Sequence, residues 1–372
     1  MQKKIIALAV ASAAAGFASA PVFAQSTVSI YGVVDQALTS QNQTNGGRVF
    51  SLKSSGYTTE RLGFKGSEDM GNGMKANFVL EMGMNSNNGN LDNNNGGTNG
   101  TNPSLFQRLS TLGLSGADWG SVNFGRQYTP AFINVQAPND LFRVAGVGSI
   151  YSLTNVGITR ASNSIRYDSV NMNGFTFASL YGLGDTSVAG PYPAGVGYPS
   201  TGAANAPKNL GRQAGLAVNY NNGPLMLGLG YNQLFLIAPI AGNYDSQKTT
   251  ALTGSYNFKV VAINAGWQEN KVDNSVSDRT VWNVGATMPV FGADSVKLSY
   301  SDRHDKINAN SDSKLTALGY VHPMSKRTTL YGTYAHMAND SKINQGFLFG
   351  YTGALAAGTG ANGFQVGLSH FF

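Results

Sequence analysis

A chain of 372 residues with 47 Gly, no Cys, a formal charge of +6 and only 12% charged residues falls well short of the roughly 25% charge of soluble domains. A hydrophobic content of 42% with 10% aromatics excludes wholesale disorder. The lack of Cys excludes a disulfide framework, a thiolate metal site and a Cys nucleophile, and 25 Lys and Arg are too thin a supply for gripping a phosphate backbone, so no nucleic-acid partner is expected.

Taken in chain order, the first element is an export signal over residues 1–24. Lys3 and Lys4 make a positive start, Ile5 to Phe17 an apolar core too short to span a bilayer, and Val22 and Ala24 a small-x-small cleavage site. Cleavage would leave one domain, 25–372. No later stretch could cross a membrane as a helix, since the longest apolar run, LFLIAPI at 234–240, is interrupted by Pro239.

Beyond the signal the chain alternates at period two. In MKANFVLEM, Met74, Ala76, Phe78, Leu80 and Met82 oppose Lys75, Asn77 and Glu81. AGLAVNY (214–220), PLMLGLGY (224–231), ALTGSYNF (251–258), VVAINAGW (260–267), SVKLSY (295–300) and the terminal GFQVGLSHFF (363–372) repeat the pattern. One face is greasy and the other small and polar, the signature of half-buried strands. Short turns are expected at 68–73, 116–120, 171–174, 221–224, 258–260, 291–294 and 323–327. Longer polar or Gly-rich connections at 39–58, 84–104, 127–162, 184–210, 235–248, 270–279, 303–313 and 338–362 separate them. Seven turns alternating with eight long loops give sixteen antiparallel strands, an all-β transmembrane β-barrel with both chain ends on the short-turn side. A strand of about ten residues, rising ~3.3 Å each and tilted near 45°, spans roughly 23 Å, which suits the apolar band. RVFSLKSS at 48–55 is assigned to the first outer loop, because a seventeenth strand would break the alternation. A β-solenoid or paired sandwiches would need a continuous apolar core, and the inner parity is mostly Gly, Ser, Thr, Asn and Gln.

The segments SIYGVVDQAL (29–38), ERLGFKGSEDMGNGMKANFVLE (60–81), QRLSTLGLSG (107–116), SVNFGRQYTP (121–130), NSIRYDS (163–169) and the terminal GLSHFF together resemble the general-diffusion porins of the Gram-negative outer membrane. The resemblance covers most of the N-terminal half and the last strand. It implies a homotrimer in the outer-membrane lipid bilayer, in contact with lipopolysaccharide, with each barrel passing ions and small hydrophilic solutes through a water-filled channel. It also implies a third loop folded into the lumen, and a wall ladder of Arg61, Arg108 and Arg166 facing acidic groups of that loop. Phe372 resembles the terminal aromatic read by the outer-membrane insertion machinery. A substrate-specific channel, or more distantly a surface-binding barrel, is the alternative.

The residues point the same way. The 127–162 loop carries Phe132, Ile133, Val135, Leu141, Phe142, Val147, Ile150, Tyr151 and Leu153, too apolar for a loop facing water, so it is expected to cover something: the inner wall or, failing that, the rim or a neighbouring subunit. Folding inward would bring Asp140 and Arg143 toward the axis. By parity Arg61, Lys65 and Arg166 face the lumen, with Glu81 as their acidic counterpart and Asp35 a weaker candidate. The parity of Arg108 is blurred by Leu112 and Leu114, and Arg126 should leave the wall near the loop root. Lumenal bases, Lys297 among them, outnumber acids, which implies a weak anion preference. No enzymatic reading survives: His304, His322, His336 and His370 make no metal-ligand spacing, and SDRHD at 301–305 places its Ser, His and Asp on alternating faces of a strand. No cofactor is expected.

Overall fold

The computed structural model describes residues 27–42, 47–92, 104–154, 159–184, 211–237, 244–273, 277–348 and 355–372. The export signal at 1–24, most of the Asn-rich stretch at 85–102 and the bulk of the 184–210 loop lie outside the described residues. The strands are β1 (Thr27–Asn42), β2 (Arg48–Ser54), β3 (Arg61–Gly71), β4 (Met74–Asn85), β5 (Asn90–Leu91), β6 (Leu109–Gly116), β7 (Gly120–Tyr128), β8 (Arg160–Asp168) and β9 (Phe175–Leu183). They continue as β10 (Arg212–Asn222), β11 (Leu225–Ile237), β12 (Tyr244–Asn257), β13 (Ala262–Val272), β14 (Ser277–Pro289), β15 (Ser295–Asp305), β16 (Ser313–Pro323), β17 (Thr328–Asn339) and β18 (Ala361–Phe371).

Each strand pairs antiparallel with its neighbours, and β18 returns to β1 with Phe371 opposite Val33, so the sheet closes on itself. The eighteen segments occupy sixteen positions around the barrel. The two-residue β5 only extends the β4 hairpin. The expectation that 48–55 belongs to a loop needs correction: Arg48 to Ser54 form a ladder with β1 from Asn42 to Gln36. No seventeenth position results, because β3 pairs with the same edge of β1 further down, from Val33 to Thr27. β2 and β3 are one strand interrupted at 55–60.

All seven short connections fall where the breaker residues place them. Between β3 and β4, Asn72 and Gly73 take φ of 52° and 75°, as a tight hairpin turn requires. The two faces separate cleanly. On β18, Phe364, Val366 and Leu368 are 46%, 40% and 47% exposed, whereas Gln365 and Ser369 of the opposite parity are 1% and 0% exposed. A greasy exterior and a polar interior are the reverse of a soluble fold, and among the described residues the ladder closes on itself, as a barrel that faces lipid must.

The inner face of β10–β18 is covered by the connection between β7 and β8. It opens with a π-helical turn at Ala131–Gln136 and a short helical turn at Ala137–Asn139. Its backbone and side chains then meet successive inward positions. Gln136 Nε2 donates to Gln268 Oε1 (2.9 Å), Asn264 Nδ2 to the Asn139 carbonyl (2.7 Å), Lys297 Nζ to the Leu141 carbonyl (2.7 Å), and the Val147 amide to Gln365 Oε1 (3.2 Å). These wall positions alternate with the exposed Trp267, Ile263, Leu298 and Phe364, so the loop lies inside the barrel rather than at its rim. Its apolar residues have a destination there: Phe132, Phe142, Val147, Ile150, Tyr151 and Leu153 pack with Val281, Leu315, Ala335 and Met337 of the wall. Close approach depends on glycine. A Cβ on Gly230 would lie 2.9 Å from the Ala131 Cα, and one on Gly319 2.7 Å from the Phe142 ring.

Candidate functional site

The strand interruption at 55–60 turns inward and is fixed by two buried carboxylates. Asp35 accepts the amides of Gly56 (3.2 Å), Tyr57 (2.9 Å) and Thr58 (2.7 Å) and the Tyr331 hydroxyl (2.6 Å). Glu60 accepts the amides of Asp35 (2.7 Å) and Ser86 (2.7 Å) and the Ser86 hydroxyl (2.5 Å). Both acids are 0% exposed, so Asp35, a weaker candidate for the channel acid, is spent on holding this segment. Tyr57, at its tip, stacks on Tyr331 with ring centroids 5.2 Å apart.

On one side of the inturned segment lies a basic cluster. Arg61 donates to the Thr59 carbonyl (3.1 Å) and to the hydroxyls of Thr59 (3.0 Å) and Thr58 (3.4 Å). Glu81 accepts from Arg108 Nε (2.7 Å) and from the Tyr31 hydroxyl (2.9 Å). The Tyr128 hydroxyl accepts from both Arg108 and Arg160, each at 2.6 Å. Lys65 is exposed beside the cluster, its ammonium 5.2 Å from the centre of the Tyr31 ring. Arg108 turns inward despite the outward parity of Leu112 and Leu114 because it precedes β6 and is not bound by the strand alternation.

On the other side stands a second basic pair. Arg143, exposed and held at a φ of 59°, lies 4.9 Å from the Tyr57 ring centre, and Lys297 Nζ lies 5.4 Å from the same ring. Asp140 does not face the channel as expected. It is 6% exposed and accepts the amides of Phe142 and Val144 (2.9 Å each) and the Ser149 hydroxyl (2.5 Å), which makes it an internal brace of the loop. Burial pushes its carboxyl above the ordinary range, and these three donors offset part of the rise.

Arg166 is brought to the loop root rather than into the cluster. Asp168 holds it bidentately (2.9 and 2.5 Å), and it donates to the Tyr128 carbonyl (2.9 Å) and to Asn134 Oδ1 (2.8 Å). Arg126 sits where the ladder shifts register between Gly125 and Gln127, bonded to the Gln107 carbonyl (2.6 Å) and the Ser162 hydroxyl (2.8 Å). Sequence reasoning missed Arg160, Tyr128 and Tyr31. Arg160 lies beyond the register shift that separates Ser164 from Ala161 on β8, so alternation counted from Arg166 does not place it; the two tyrosines carry no signal that distinguishes them from girdle aromatics. SDRHD splits as its alternation requires: His304 meets Asp312 outside (2.8 Å), while Arg303 and Asp305 pair inside (3.1 Å).

At the short-turn end of the seam, Phe372 exchanges backbone hydrogen bonds with Gly32 (3.1 and 3.2 Å). Its ring covers that glycine so closely that a Cβ there would lie 2.4 Å from it.

A family model described as Gram-negative porin matches residues 7–342. The chain is 32% identical over 386 residues to outer membrane porin protein 32 of Delftia acidovorans, with all of both chains covered. The solved anion-selective porin from Comamonas acidovorans superposes with a TM-score of 0.79 at 31% identity, covering 94% of this chain and 100% of that one. The trimer form of OmpT from Vibrio cholerae shares the fold, with a TM-score of 0.63 at 16% identity over 93% of this chain and 99% of that one. A closed sixteen-position barrel, a polar lumen and these similarities agree: the chain belongs to the Gram-negative porins, passive diffusion channels of the outer membrane.

Proposed function

We propose that this porin favours anions, through a constriction formed by Arg61, Lys65 and Arg108 with Glu81 on one side of the inturned 55–60 segment and by Arg143 and Lys297 on the other. The observation that carries the reading is a charge imbalance. Glu81, the acid of the cluster, is matched by Arg108 at 2.7 Å, Asp140 is turned into its own loop, and among the described residues Arg61, Lys65, Arg143 and Lys297 have no carboxylate in contact. Rows of like charge at close quarters set the sign of the permeant ion. The similar Comamonas acidovorans protein, described as anion-selective, supports the same sign. Planar-bilayer recording in a KCl gradient tests it: the reversal potential is expected on the chloride side of zero, and a reversal toward potassium overturns the reading.

The same reading includes a homotrimer, supported by the trimer form of the Vibrio cholerae relative and checked by conductance steps in groups of three. It includes removal of residues 1–24, checked by the mass of the mature N-terminus, and Phe372 as an assembly signal, whose deletion should lower insertion more than strand content. Contact with lipopolysaccharide is supported at the long-loop ends of the strands, where Lys271 opposes Lys248, itself held by Asp273 at 3.0 Å, on the outer face and would attract an anionic headgroup. Reduced lipopolysaccharide retention in a Lys248→Gln, Lys271→Gln variant would bear on that contact.

A further inference from the structure

Below the π-helical turn of the inner loop, toward the short-turn end, the wall of β9–β12 opens into a recess of about 500 Å³, within the ordinary size of a small-molecule site. Its floor is Gly228, which stands in register between Asn219 of β10 and Thr253 of β12. Thr176 lies across from Asn219 on the far side, and Asn221 and Ser255 flank Met226 one row lower. A Cβ on Gly228 would lie 2.8 Å from the Thr253 hydroxyl and 3.0 Å from Asn219 Oδ1, so the glycine keeps the row open. The recess is roofed by Ile133 and Pro138 of the loop.

The chemistry of the recess is uncharged. Its one ionic residue, Arg166, is neutralised by Asp168, and Nε and both terminal nitrogens already donate to Asp168, the Tyr128 carbonyl and Asn134. The side chains of Thr176, Asn219, Asn221, Thr253 and Ser255 have no hydrogen-bond partner among the described residues. Two amides and three hydroxyls in rows, facing an aliphatic roof, match a ligand with hydroxyls along one edge and C–H groups on its face. An anion would find no free cation here, and a purely apolar solute would strand the polar row without partners.

We infer that this recess is a binding subsite for neutral polyhydroxylated solutes of sugar type, separate from the basic constriction. The inference rests on the channel reading but not on its anion preference. A passing sugar pauses with its hydroxyls on the Asn219 and Thr253 row and its aliphatic face under Ile133 and Pro138, then leaves by the short-turn mouth.

The test is single-channel recording in KCl with maltose added on the short-turn side. Steady conductance without sugar establishes the pore by itself, so the two readings fail separately. With the subsite present, maltose produces brief, concentration-dependent current interruptions, and Asn219→Ala with Thr253→Val shortens their dwell time about tenfold, the loss expected for one or two hydrogen bonds. A second variant, Met226→Trp, fills the recess while removing no polar group, and is expected to abolish the interruptions. Conducting channels that give no interruptions with maltose, or interruptions unchanged in both variants, overturn the inference.

Discussion

The lumen wall has two sectors built on opposite principles. From β3 to β8 it carries long cationic side chains: Arg61 bonded to Thr59, Lys65 exposed, Arg160 on the Tyr128 hydroxyl and Arg166 held by Asp168 at the loop root. From β9 to β14 the same parity is filled mostly by Gly, Ala, Asn and Thr, and Ala178, Ala217 and Ala251 pack with Val135 of the loop. Residue size is the difference that matters. Where the wall is small, the loop can lie flat against it; where the wall is large and charged, the space is kept by its own side chains. A barrel of even polarity thereby acquires an off-centre channel.

The largest effect is expected from making the small sector large. Gly230→Phe would drive a ring into the Ala131 backbone, already only 2.9 Å from a Cβ at that site. The loop would have to leave the wall and expose its Phe132 and Tyr151 cluster. Conductance should change severalfold, and protease should cut within 131–154 of the folded barrel; an uncut loop with wild-type conductance would refute the role given to glycine here.

A middle effect is expected from neutralising the charged sector. Arg61→Gln with Lys65→Gln removes two cations that touch no carboxylate, while Asp35 and Glu60 still hold the 55–60 segment, so the reversal potential in a KCl gradient should move toward zero with single-channel conductance falling by less than half. An unchanged potential would locate selectivity elsewhere.

The smallest effect is expected within the loop. Asp140→Ala strands the Phe142 and Val144 amides, a cost of about 1–3 kcal/mol for each buried group left unsatisfied. The many remaining contacts to the wall should keep the loop seated. Open-channel noise should rise while mean conductance stays within about a fifth of wild type, and a lost barrel or a silent trace would show Asp140 to be more than a local brace.

Much of the barrel was legible because period-two alternation and breaker spacing are local: Asn72-Gly73 and Asn222-Gly223 mark their turns whatever surrounds them. The loop's inward course was legible from its apolar content. The roles of Asp35, Glu60 and Asp140 were not, because a buried acid satisfied by backbone amides and a channel acid look alike in sequence; only the positions of the partner amides tell them apart. The division of 48–67 into two strands on one edge was hidden for a related reason. Its cause is the inward pull of Asp35 on residues 56–58, a contact between distant segments. Arg108 escaped the parity rule because alternation holds only inside a ladder.

The pairing of Gly32 with Phe372 also bears on timing. The seam joins the first strand to the last, so the ring cannot close until synthesis and export of the whole chain are over. Until then β1 and β18 each present an open edge able to pair with another chain, and closing so long a connection is intrinsically slow. The interval between arrival of the chain at the membrane and formation of the seam is therefore its most aggregation-prone period. A substitution such as Gly32→Val, which bars the Phe372 ring from its seat, should lengthen that interval more than it weakens the finished barrel.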